Sequence, residues 1–277
     1  MAARLQLSTP IGGHRDASTS AVASKVLKIA SRTSHFITCP SAISLQALRR
    51  VAHRSSAVST NGAQSRSTRL AVKAGVDTGD AMEQYRECSS KALKMNLDPK
   101  FYGTLAEIGA GQEVARWFFA VGGAAGTIAK TISAYDMTIS DTFYGKCARY
   151  VTKERLEAML EYEYLQCELP LKADRGKNTC FFAFADTVVA KAYLRDNECH
   201  GWLGVKWQTS PGTPPSRLML HIRMLDPTAT LQQEALGVFG VNMLHAALYM
   251  TDDINETNNF TPFLQALTNE LSADRIE

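Results

Sequence analysis

Apolar positions recur at helical spacing over 153–167, where Leu156, Met159, Leu160, Tyr164 and Leu165 share one side of a charged run opened by Thr152. Leu169-Pro170 is expected to end that helix. Upstream, 81–95 is charged and helix-prone, and Asp98-Pro99 reads as a helix start, with an acidic N-cap and proline in the first position. A long apolar helical pattern then covers 112–133. Its most apolar part, 117–129, lies between Arg116 and Lys130 and is thirteen residues long, short of the roughly 20 that a membrane span needs. A buried helix is the expectation there.

After 167 the period changes. The aromatic-rich 180–187 reads as a strand, and 201–208 and 217–225 as two more. Between the last two, the proline- and glycine-rich 209–216 suits the loop of a long antiparallel hairpin. Asp226-Pro227 opens another helix, for which Thr230 and Gln233 fit a capping box. Over 235–250 nearly every residue is apolar or small, which predicts a helix buried on all sides. A final amphipathic helix is expected over 260–271. Helices, then strands, then helices favour an α+β fold: one soluble domain with N-terminal helices, a small antiparallel sheet and a buried C-terminal helix.

The first 73 residues have no such pattern. They carry eleven of the chain's 30 Lys and Arg but only one of its 27 acids, Asp16, together with 19 Ser and Thr. Basic, hydroxyl-rich and acid-poor composition is that of an organelle transit peptide. The opening Met1-Ala2 and a processing-like Val72-Lys73-Ala74 point to the chloroplast, stroma before thylakoid, with the mitochondrial matrix as the alternative. Cleavage there leaves 74–277 as a globular α+β unit with 19 basic and 26 acidic residues. Its formal charge is −7 where the precursor's is +3. An acidic domain whose basic residues alternate with acids lacks the electrostatic footprint of a nucleic-acid binder. Cys88, Cys147, Cys167, Cys180 and Cys199 contain no CxxC pair and no zinc spacing, so no metal site is expected and the thiols read as reduced and mostly buried.

Two constellations could carry chemistry. In Leu105-Ala106-Glu107-Ile108-Gly109-Ala110-Gly111-Gln112-Glu113 an acid precedes a glycine turn, as in the first motif of S-adenosylmethionine-dependent methyltransferases, which this segment resembles. Glycines permit close backbone approach to a ligand, and a following helix offers free N–H groups. Asp136, 25 residues beyond Gly111, stands where a ribose-binding acid could sit. Glu107, Gly109, Gly111 and Asp136 are thus the cofactor-binding candidates. The plainer reading of the segment is a helix-breaking turn, because Glu113 replaces the third glycine. Gly122-Gly123-Ala124-Ala125-Gly126-Thr127 lacks the Lys-Ser/Thr ending of a phosphate loop and reads as helix packing. Asp136 and Asp141 read as N-caps.

The second constellation is made of polar exceptions in the apolar half. His221 alternates with Leu220 and Ile222, with Asp226 at the strand end to orient it. Asn242, His245 and Tyr249 share one face of the apolar helix, either as a satisfied core network or as a pocket lining. His200, His221, Asp226, Asn242 and His245 are the catalytic candidates.

The stretch from Phe101 through Glu113-Val114-Ala115-Arg116-Trp117 to Ala134-Tyr135-Asp136-Met137, with Leu231-Gln232-Gln233 and Gly237-Val238-Phe239-Gly240-Val241-Asn242, resembles an uncharacterised family shared by bacteria and plastids. Its members often carry the names "TonB-dependent receptor" or nicotinamide mononucleotide adenylyltransferase. The resemblance covers most of 100–277 and implies a chain shortened at its C-terminal end. No β-barrel pattern supports a receptor, and no histidine dyad of nucleotidyltransferase spacing is visible. With no strong catalytic constellation, the default is a non-enzymatic plastid protein acting through a protein partner. The alternative is a small-molecule or nucleotide-binding enzyme of the methyl- or nucleotidyl-transfer class, its cofactor unknown.

Overall fold

The computed structural model describes residues 84–192, 197–251 and 259–277. The transit-peptide expectation for 1–73 lies outside them. Along the described chain run α1 (Arg86–Leu97), β1 (Phe101–Ile108), α2 (Glu113–Ala120), a 3-10 turn (Ala124–Gly126), β2 (Ile128–Ile132), α3 (Met137–Tyr144), α4 (Lys153–Arg175), β3 (Cys180–Val189), β4 (His200–Trp207), β5 (Ser216–Arg223), α5 (Ala229–Tyr249) and α6 (Thr261–Leu267). The fold is α+β. The sheet order is β2-β1-β3-β4-β5. The β3–β4–β5 meander is antiparallel as expected, with Phe184 opposite Val205 and Leu203 opposite Leu220. Two parallel strands the sequence pattern did not show, β1 and β2, extend it into a mixed sheet.

Apolar residues on both faces explain why the sheet is sandwiched. Phe101 and Leu105 of β1, with Phe182 and Phe184 of β3, bury against α1, α2 and α5. Ala106 and Ala185 face the other way, onto Leu156, Met159 and Leu160 of α4 and Tyr144 of α3. Helix α4 is fastened at its rim by ion pairs from Glu161 to Lys206 and from Glu157 to Arg217. Helix α5 is buried nearly all round, as its uniform apolarity requires. It lies close to α2 because residue 240 is glycine: a Cβ there would stand 2.3 Å from Val114 Cγ2.

Four expectations are corrected. Asp98-Pro99 ends α1 instead of starting a helix: Asp98 is extended (φ −91°, ψ 107°), the conformation that a following proline imposes. The helix expected over 112–133 stops at Ala120, because Gly122 and Gly123 take positive φ and turn the chain into β2. Close helix packing does not require them: a Cβ on Gly123 would meet Asn96 Cβ at 3.5 Å, an ordinary contact, and one on Gly122 would meet nothing within 4 Å. Helix α4 continues through Pro170 to Arg175. Its last turns are held by Leu171 against the cluster of Tyr164 and Phe181, and by Arg175 over the Tyr102 ring at 4.2 Å. The N-cap of α5 is Thr228, which accepts from Leu231 N, not Thr230. Among the described residues no helix is long and apolar enough to cross a membrane.

Candidate functional site

The connections after β1 and β2 leave the sheet on opposite faces: α2 packs with α1 and α5, whereas α3 and α4 cover the other side. In open sheets ligands are held outside the carboxyl ends of the parallel strands. At the carboxyl ends of β1 and β2 this edge is formed by residues 109–112 and 133–136. The 104–113 segment is therefore a strand, a glycine turn and a helix.

Gly109 has φ 114°, and a Cβ on it would lie 1.9 Å from the Val188 carbonyl oxygen, so glycine is obligatory. Gly111 has φ 83°, and its N–H donates to the Tyr135 hydroxyl at 3.1 Å, which bridges the two loops. Ser133 donates to the Glu107 carbonyl at 2.5 Å. Gly111, Gln112 and Ser133 are half-buried, while Tyr135 and Asp136 are exposed.

Behind the turn sit two buried carboxyls. Glu107 and Asp186 are register partners across β1 and β3, each 1% exposed. Glu107 accepts from Val114 N and Ala115 N, both at 2.9 Å, and so occupies the N-terminus of α2 from within. Asp186 accepts from Ile108 N at 3.0 Å through one oxygen, while the other oxygen is buried without a partner. Burial raises both pKa values above the ordinary carboxylate range, and in Asp186 the neighbouring Glu107 charge adds to the rise. Two carboxyls in one dry site cannot both ionise cheaply, so the pair holds a proton where exposed acids would not.

The sequence candidates separate into groups. Glu107, Gly109 and Gly111 meet at the β1 end. Asp136 stands beside them but caps α3, accepting from Ile139 N at 2.9 Å. Asp141 pairs with the buried Arg155 at 3.0 Å instead of capping a helix. His200 and His221 do come together, Nδ1 to Nε2 at 3.1 Å. Asp226 does not orient His221; it pairs with Arg275 at 2.9 Å. Asn242 faces α1 and α6, taking a hydrogen bond from Lys91 and donating to the Leu267 and Asn269 carbonyls. His245 packs on the Tyr249 ring, and burial with Lys94 and Lys91 nearby lowers its pKa to about 4. The five catalytic candidates therefore do not converge on one site.

Asp186 is a candidate residue that the sequence pattern did not single out. It lies in an apolar strand beside aromatic residues, and only the parallel β1–β3 pairing brings it to Glu107. A lone acid in an otherwise buried strand was the available signal. Among the described residues no group of three or more His, Cys, Asp or Glu could hold a metal ion. A separate cavity of about 260 Å³ lies beyond β4 and β5, lined in part by Glu198, Cys199, Arg223, Asp226 and Gln232.

No family model and no curated protein matches the chain. Among solved structures it is similar to the competence/damage-inducible protein CihA of Agrobacterium tumefaciens, at 18% identity and a TM-score of 0.40, over 61% of this chain and 96% of that one. A competence or damage-inducible protein of Enterobacter asburiae is similar at 16% identity and 0.41, over 58% and 96%. A Klebsiella pneumoniae protein of the CinA superfamily is similar at 13% and 0.41, over 57% and 94%. At these scores the likeness carries no functional argument.

Proposed function

We propose that this is a plastid protein, processed near residue 73, that binds a small hydroxyl-bearing or cationic molecule at the carboxyl ends of β1 and β2. The observation that supports the reading is the glycine turn at Gly109–Gly111, bridged to Tyr135 and backed by Glu107 and Asp186. The site is not a phosphate cradle. Glu107 already takes the α2 N–H groups that would hold a phosphate. What remains available is the Tyr135 hydroxyl, the exposed Asp136 carboxylate and the backbone of the turn, which suit ribose hydroxyls or a cationic centre.

Thermal unfolding of the full chain against adenosine, S-adenosylmethionine, NAD and ATP tests this. A ligand at 100 times its dissociation constant adds roughly 2.7 kcal/mol. That moves the midpoint of a domain this size by about 2–4 °C per kcal/mol. Adenosine or S-adenosylmethionine should shift the midpoint, ATP should do no better than adenosine, and Tyr135→Phe should reduce the shift. If no ligand moves the transition, the reading fails. A protein-contact role would then stand in its place, supported by Tyr135, Met137 and Ile139, which are 60%, 64% and 48% exposed at this same edge.

A further inference from the structure

His200 on β4 and His221 on β5 lie diagonally across the antiparallel pair, where His200 is register partner of Arg223 and Trp202 of His221. Strand alternation puts all four side chains on one face. His221 is exposed and His200 half-buried there. The facing ring nitrogens are 3.1 Å apart and the ring centroids 5.2 Å apart. Trp202 flanks the pair, its ring 5.0 Å from that of His221.

We propose that His200 and His221 form a surface chelate for a divalent transition-metal ion of the nickel, copper or zinc class, which would tie β4 to β5. Two imidazole nitrogens bound at about 2.0–2.1 Å with an angle between tetrahedral and right-angled stand roughly 2.9–3.4 Å apart. The observed separation falls inside that window. Imidazole is the side chain these ions prefer among neutral donors.

The surroundings allow a cation. Arg223, the register partner of His200, is already paired with Glu198 at 3.2 Å and with Glu277 at 2.9 Å. The ordinary imidazole pKa of about 6.5 leaves most such rings neutral near pH 7, with a lone pair available. In the free protein one ring donates N–H to the other. Metal binding needs both facing nitrogens bare, so that one proton moves to the remote nitrogen of its own ring, with no net release. Protein supplies two ligands and water the rest, which makes the site exchangeable and unlike the closed, four-ligand structural kind.

The test is a Ni²⁺ titration of the full chain in a non-chelating buffer, followed by quenching of Trp202 fluorescence and by the thermal midpoint. Saturable quenching and a raised midpoint are expected. His200→Asn and His221→Asn should each weaken Ni²⁺ binding by about tenfold or more. Both positions lie outside the core, so the metal-free midpoints should be unchanged. His245→Asn, and a combined His14→Asn, His35→Asn, His53→Asn variant, should bind as the unaltered chain does. No saturable binding, or binding that survives both His200→Asn and His221→Asn, overturns the proposal.

Discussion

Glu107 and Asp186 stand side by side on neighbouring parallel strands, both sealed from solvent and both turned toward α2. Glu107 spends its two oxygens on backbone N–H groups of that helix, and Asp186 holds the Ile108 N–H. The carboxyl end of β1, the turn and α2 are thereby locked into one unit whose charge depends on pH.

The native pair binds its proton more tightly than the unfolded chain does. Such groups contribute stability below the ordinary carboxylate pKa of about 4, and that contribution is lost as pH rises through the raised native values. Glu107→Gln removes one titrating partner and keeps one acceptor. The fall in unfolding free energy between pH 5 and 8, read from urea denaturation, should be shallower in the variant. Equal slopes would show that the pair does not share a proton.

At Gly109 both backbone and space demand glycine. Gly109→Ala should cost about 3 kcal/mol or more, since positive φ and overpacking each contribute roughly 1–3 kcal/mol. Gly212 has φ 77° but open space around it, so Gly212→Ala should cost only about 1 kcal/mol. Equal losses in chemical denaturation would mean that the Val188 carbonyl yields.

Arg155 is 2% exposed and donates to Asp141, Ser140 and the Gly145 carbonyl, which hold α3 to the start of α4. Arg155→Met leaves these acceptors unpaired and should destabilise by about 3–5 kcal/mol. Arg155→Lys should recover little of it, because an ammonium cannot span the fork. Full recovery by lysine would show that charge alone matters.

His245 has the opposite pH sign from the carboxyl pair. Its native pKa is lowered to about 4. Its contribution is present above the unfolded value of about 6.5 and is lost as pH falls toward the native one. Solvent screening of the half-buried ring limits the effect to about 1–2 kcal/mol. His245→Gln should flatten the loss of stability between pH 6.5 and 4.5, and an unaltered profile would refute the assignment.

Sequence by itself determined the α+β class, the β3–β4–β5 meander, helix α4 and the buried α5. Each rests on a local signal: strand-forming aromatics, a helical stripe, or apolarity on every side. It also marked Glu107, Gly109 and Gly111, because an acid before a glycine turn is a local pattern. Only the tertiary structure decided that 128–132 is a strand. Ile128-Ala129-Lys130-Thr131-Ile132 is too short to declare a period, and it becomes a strand by pairing with β1. Pro170 stays helical because Leu171 and Arg175 find partners beyond it. Asp186 joins Glu107 from 79 positions away, since parallel pairing couples residues that share no sequence neighbourhood. Periodicity reports what a segment buries, whereas register, which sets what meets across the sheet, is fixed only when the strands pair.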